Sequence, residues 1–161
     1  MDNATTDLPD LLHFAGDWHQ YVDELYDVYL KEIVNSGLTF MGLPVKSQYR
    51  PPSQGKGYGF WHVISDGNSE EDRIPDFRRC ERVGWIAWLI KNAESDPRIR
   101  WWKNRRGRNV HMVIWIEDEE FVVVLAKRKD YYLLKTAYCP EPHRSRTFRK
   151  EWKKFQKSRN D

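Results

Sequence analysis

Between Val110 and Tyr138 three β-prone runs follow one another with almost no chain between them. "VHMVIWI" covers 110–116, "EFVVVLAKR" covers 120–128 and "YYLLKTAY" covers 131–138. An acidic turn joins the first two, and Lys129–Asp130 joins the second pair. Runs this rich in β-branched and aromatic residues, linked by such short turns, form an antiparallel meander. The rest of the chain must extend that sheet or pack on it.

Helical periodicity marks the packing elements. In residues 17–35, Trp18, Val22, Leu25 and Tyr29 recur at three- and four-residue spacing, with Asp17 suited to the N-cap and Gly37 to the stop. Residues 76–93 follow the same period, with Phe77, Cys80, Val83, Ala87 and Ile90 as one apolar stripe and Arg78, Arg82 and Trp85 on another face. Residues 144–158 predict a basic terminal helix. "GLPVKSQYRPPSQGKG" reads as a Pro- and Gly-rich loop, "DGNSEED" as a surface turn and "RIRWWKNRRGRN" as a basic loop. "YGFWHVIS" is β-prone and predicts a strand. The expected fold is α+β: an N-terminal helix, a strand, a helix and a three-stranded meander, making one four-stranded antiparallel sheet, then the basic helix. One domain fills residues 1–161, with an N-terminal helical part at 1–45 and a core at 56–158.

A chain of 161 residues is long enough to bury a core, and its apolar runs are far too short to span a bilayer. "MDNATTDLPD" has neither the basic start nor the apolar stretch of a secretory signal. Two cysteines, Cys80 and Cys139, make no disulfide framework, so a cytoplasmic protein with reduced thiols is the simplest expectation. Charge is unevenly spread. Residues 1–95 carry nine Lys/Arg against fifteen Asp/Glu, and residues 96–161 carry eighteen against nine. The second half is a candidate surface for a polyanion, although a solvated basic face has the same composition.

Several chemistries have no residues to carry them. No phosphate-binding GxxxxGK[ST] loop, dinucleotide fingerprint or HExxH occurs, and no His, Asp and Glu cluster has metal-ligand spacing, so neither metal nor cofactor is expected. What remains is histidine, arginine, tyrosine and threonine. Those residues suit metal-independent cleavage of RNA, whose 2′-hydroxyl is its own nucleophile. A base must take that proton, an acid must protonate the leaving oxygen, and cations must surround the phosphate. His62, Arg78 and Arg79, Thr136 and Tyr138, and His143, Arg144 and Arg146 are the candidates. Each also has a plainer account: a core histidine, ordinary surface charge, an exposed strand edge. Trp101, Trp102, Arg105 and Arg106, with Lys150, Lys153 and Lys154, could hold a nucleic-acid strand by stacking and charge.

Four stretches, "GFWHVIS", "RIPDFRRCERVGWIAWLI", the strand trio and "LLKTAYCPEPHRSR", together resemble nucleases of the barnase–EndoU–colicin–RelE superfamily over residues 56–150. The resemblance implies a helical part followed by a four-stranded antiparallel sheet, a metal-independent ribonuclease activity, and a toxin restrained by an antitoxin protein. It implies that His62 is the first-strand catalytic histidine and that Thr136 and Tyr138 are the last-strand polar positions. The expected roles are His62 as base, His143 or Tyr138 as acid, and Arg78, Arg79, Thr136, Arg144 and Arg146 at the phosphate. No central-strand glutamate base is evident, which departs from the barnase pattern. RNA, as tRNA or mRNA, is the expected partner, with a cognate antitoxin. Two rivals remain open: a non-catalytic nucleic-acid-binding module and a protein-interaction inhibitor domain.

Overall fold

The computed structural model describes residues 7–67 and 73–160. The last five residues of "DGNSEED" and the first six of the chain lie outside them. Helix α1 (Trp18–Tyr29) starts where Asp17 accepts a hydrogen bond from the Gln20 amide. Tyr21, Val22, Leu25 and Tyr29 are its buried face. A π-helical turn, Leu30–Val34, extends it. Strands β1 (Thr39–Phe40) and β2 (Leu43–Lys46) follow as a hairpin. Both residues of its turn, Met41 and Gly42, have positive φ, the geometry that matches the twist of two paired strands.

The chain then folds into α2 (Tyr58–Ile64), a short ribbon of β3 (Ser65–Asp66) and β4 (Ile74–Pro75), and the helices α3 (Phe77–Glu81) and α4 (Val83–Asn92). Strands β5 (Ile99–Arg106), β6 (Asn109–Ile116), β7 (Phe121–Lys127) and β8 (Tyr132–Tyr138) lead to α5 (Pro142–Asn160). The main sheet has six strands in the order β1-β2-β8-β7-β6-β5. It is mixed, because β2 runs parallel to β8 while the other neighbours are antiparallel.

The fold is therefore α+β, but the expected four-stranded antiparallel sheet is wrong. The segment 58–65, read as its first strand, is helical up to Ile64. Gly59, Phe60, Val63 and Ile64 are its buried residues, a helical rather than an alternating pattern. Tertiary contact overrides the β propensity of Tyr, Phe, Trp and Val here. The amides of Tyr58 and Gly59 donate to the carbonyls of Tyr49 and Gln48, 3.0 and 2.8 Å away. A Cβ on Gly59 would sit 2.6 Å from Ser47 Oγ and 3.1 Å from the Tyr29 hydroxyl, so only glycine lets α2 approach this closely. The "loops" at 42–57 and 98–109 in turn contribute β2 and β5. The single helix expected at 76–93 is two, broken at Arg82.

Helices cover both faces of the sheet. On one side α1, α2 and α4 pack with Phe40, Met112, Ile114, Phe121, Val123, Leu125 and Leu134. On the other, Phe148 of α5 seals Trp102, Val113, Trp115 and Val122, with Trp152 and Phe155 beside it. Glu117 ties α5 down by accepting from Arg149 Nε at 2.7 Å and Arg100 Nη1 at 3.0 Å. The register slips between Val124, opposite Thr136, and Leu125, opposite Leu134. Lys135 is thereby the extra residue of a β-bulge. A bulge reverses the alternation of a strand. Leu134 and Ala137 consequently share the first core, while Tyr138 packs against the second.

Candidate active site

The bulged end of β8, the start of α5, the end of α2 and the β3–α3 connection meet around one open cleft of about 380 Å³. It is lined by His62, Arg79, Thr136, Tyr138, His143 and Arg144, all of them expected from the sequence. Ser65, Asp66, Gly67, Asp76, Cys139 and Glu141 also line it. Residues separated by more than seventy positions therefore share one solvent-open space.

His62 lies at the end of α2, half-buried, with its ring stacked on Tyr58 at 5.9 Å between centroids. That stacking follows from helical spacing, since residues four apart share a face. Its Nδ1 is buried and has no hydrogen-bond partner among the described residues. Burial lowers its pKa from 6.5 to about 4, helped by the positive charges of Arg73, Arg79 and Lys135. At neutral pH the imidazole is therefore uncharged, the form a general base needs, while the same burial and charges make it a weaker base than an ordinary histidine.

Arg79 is the most constrained cation of the cleft, with its side chain only 14% exposed. Asp76 caps α3 by accepting from the Arg78 and Arg79 amides, at 2.9 and 3.3 Å. This cap fixes the direction in which the Arg79 side chain leaves the helix. The guanidinium donates from Nη1 to the Ser65 carbonyl and lies 3.6 Å from Asp66 and 3.8 Å from Asp76. It also sits over the Tyr138 ring, 5.7 Å from its centroid. Desolvation raises the Tyr138 pKa against the opposing charges of Arg144, Arg79 and Arg106, so the phenol keeps its proton and remains a donor. Arg144, half-buried in the first turn of α5, pairs with no carboxylate among the described residues. His143 beside it is exposed. Burial raises the Cys139 pKa, which keeps this thiol protonated and unsuited to nucleophilic attack.

Not every expected residue arrives. Arg78 points away, 56% exposed, toward Glu120 at 3.6 Å, and Arg146 is exposed outside the cleft wall. Trp102 is 1% exposed and donates from Nε1 to Glu151 at 2.9 Å, so its ring belongs to the core and is closed to any base. Trp101 is half-buried beneath Phe155 and Arg159. Arg105, Arg106, Lys150, Lys153 and Lys154 are exposed to solvent. Sequence reasoning missed Lys135, Arg73, Asp66 and Asp76, whose positions depend on the bulge and on the β3–β4 ribbon.

Among the described residues no group of three or more His, Cys, Asp or Glu side chains is arranged to hold a metal ion. No helix among them is long and apolar enough to cross a membrane. In comparisons with known proteins, no family model, no curated protein and no solved structure matches this chain.

Proposed function

We propose that this chain is an endoribonuclease that cleaves RNA without a metal ion, through attack of the 2′-hydroxyl on the adjacent phosphate. The observation that supports it is the convergence of an uncharged, desolvated imidazole with two guanidinium groups, a protonated phenol and a second imidazole in one cleft. His62 takes the 2′-hydroxyl proton as the O2′–P bond forms. Arg79 and Arg144 neutralise the charge that builds on the non-bridging oxygens, and Thr136 and Tyr138 donate hydrogen bonds to them. His143 gives a proton to the 5′-oxygen as the P–O5′ bond breaks. The products are a 2′,3′-cyclic phosphate and a free 5′-hydroxyl, with no external reactant consumed. Preorganised donors of this kind need no reorganisation during the reaction, which is the source of their effect. A cell would have to restrain such an activity, and a cognate antitoxin protein is the partner this reading implies.

The test is incubation of the purified protein with total RNA and tRNA in excess EDTA, beside His62→Ala. Cleavage by the wild type alone, leaving cyclic-phosphate ends, is the expected result. RNA retained in a gel-shift assay but never cut would replace this reading with a binding module.

A further inference from the structure

A second pocket, of about 250 Å³, opens beside the cleft and shares Ser65 with it. Its walls are aromatic: Trp18 from the start of α1, and Tyr58 and Trp61 from α2, with Pro51 and Pro75 at the edges. Among the described residues no aspartate or glutamate lines it, in contrast to the cleft with Asp66, Asp76 and Glu141. It is smaller than the roughly 300–1,000 Å³ of drug-sized sites, which suits a single planar ring system.

The rings are held in place. Trp61 donates from Nε1 to the Ser53 carbonyl at 2.9 Å. Arg73 lies 4.7 Å over the Tyr58 ring and donates from Nη2 to the Tyr58 hydroxyl at 2.8 Å. Arg73 Nε is buried and has no hydrogen-bond partner among the described residues. Gln54 and Ser53 bring polar groups to the same wall. Tyr58 also stacks on His62, so one ring belongs to this pocket and touches the imidazole of the cleft.

We infer that this pocket is a nucleobase subsite, which receives the base of the nucleotide whose phosphate lies in the cleft. The inference rests on the ribonuclease reading for the occupant of the cleft, and adds to it what recognises the substrate. Aromatic faces bind bases of any sequence by stacking, whereas the guanidinium of Arg73 and the amide of Gln54 supply hydrogen bonds that distinguish one base edge from another. The pocket also explains why Tyr58, Trp61 and His62 share one short helix: stacking of the base sets the position of the ribose against the imidazole.

The experiment titrates the intact protein with uridine 3′-monophosphate, adenosine 3′-monophosphate, ribose 3-phosphate and inorganic phosphate, following heat or tryptophan fluorescence. At least one nucleotide should bind about tenfold or more tightly than ribose 3-phosphate. Trp61→Ala should remove that preference while phosphate affinity is kept, and Trp61→Phe, which retains a ring, should restore most of it. Circular dichroism of both variants guards against loss of the fold. Equal affinity for nucleotide and ribose phosphate would overturn the inference, as would a preference that survives Trp61→Ala in a folded protein. The two readings fail separately. A nucleotide preference without RNA cleavage keeps the base subsite and discards the chemistry. RNA cleavage with no base preference does the reverse.

Discussion

Two regions of this protein are rich in arginine, lysine and aromatic rings, and they use them in opposite ways. Around the cleft, Arg79 is held by Ser65, Asp66 and Asp76, Tyr138 lies beneath it, and His62 is desolvated nearby. Along β5 and α5, Trp102 is sealed in the core, Arg100 and Arg149 are spent on Glu117, and Lys150, Lys153 and Lys154 stand free in solvent. Composition is the same in kind. What differs is whether burial and second partners orient the charge. Oriented, partly desolvated groups suit chemistry on a bound phosphate, whereas free ammonium groups contribute attraction that salt screens.

That contrast predicts unequal losses. His62→Ala should lower the cleavage rate by about a thousandfold in a folded protein, read by single-turnover kinetics on a labelled oligonucleotide. Arg79→Ala should cost about a hundredfold in kcat. Arg79→Lys should recover little of it, because a lysine cannot reproduce the fork held by Ser65 and the two carboxylates. On the α5 side, Trp102→Ala should leave the chemistry of the cleft intact in whatever fraction folds. It should destabilise the protein by about 3–5 kcal/mol in urea unfolding. Changing Lys150, Lys153 and Lys154 together to alanine should weaken RNA binding and flatten its log–log salt dependence by about two, with kcat unchanged. If the triple change abolishes turnover and Arg79→Ala does not, the two regions have been assigned the wrong way round.

His62 also links stability to pH. Its folded pKa, about 4, lies below the 6.5 of an unfolded histidine, so the unfolded chain binds that proton more readily. The stabilisation is complete above pH 6.5 and is lost as the pH falls from about 6.5 to about 4. Solvent screening of the half-buried ring keeps the loss well below the roughly 3.4 kcal/mol that the full difference would give. Unfolding curves of His62→Gln should have a shallower pH dependence across that window than the wild type.

Much of this was legible in the sequence because it rests on local rules. Asp17 caps the helix it was expected to cap, and the β-branched and aromatic runs at 110–116 and 120–128 mark β6 and β7. The errors lie where long-range contact decides. Residues 58–64 have strand composition, yet Gly59 against Ser47 and Tyr29 makes them a helix. Strand β5 hides behind exposed Lys103, Arg105 and Arg106, and becomes visible only through its pairing with β6 along its whole length. The β1–β2 hairpin is too short to leave a period. Residue type named much of the cleft wall, His62, Arg79, Thr136, Tyr138, His143 and Arg144, although each also had a plainer account in the sequence. Arg78 was lost because its neighbour Arg79 takes the inward direction from α3. Lys135 was invisible because nothing local announces a bulge.

The most direct test of the central claim, that His62 acts as an uncharged base within this cleft, is the pH dependence of kcat/KM for RNA cleavage in EDTA. If His62 is the base, the acid limb of the profile rises with a midpoint near pH 4, and His62→Ala loses that limb together with most of the rate. A profile that only falls with rising pH, with no acid limb near pH 4, would make His62 an acid instead. A rate that is unchanged in His62→Ala, or the absence of cleavage at every pH, would contradict the account.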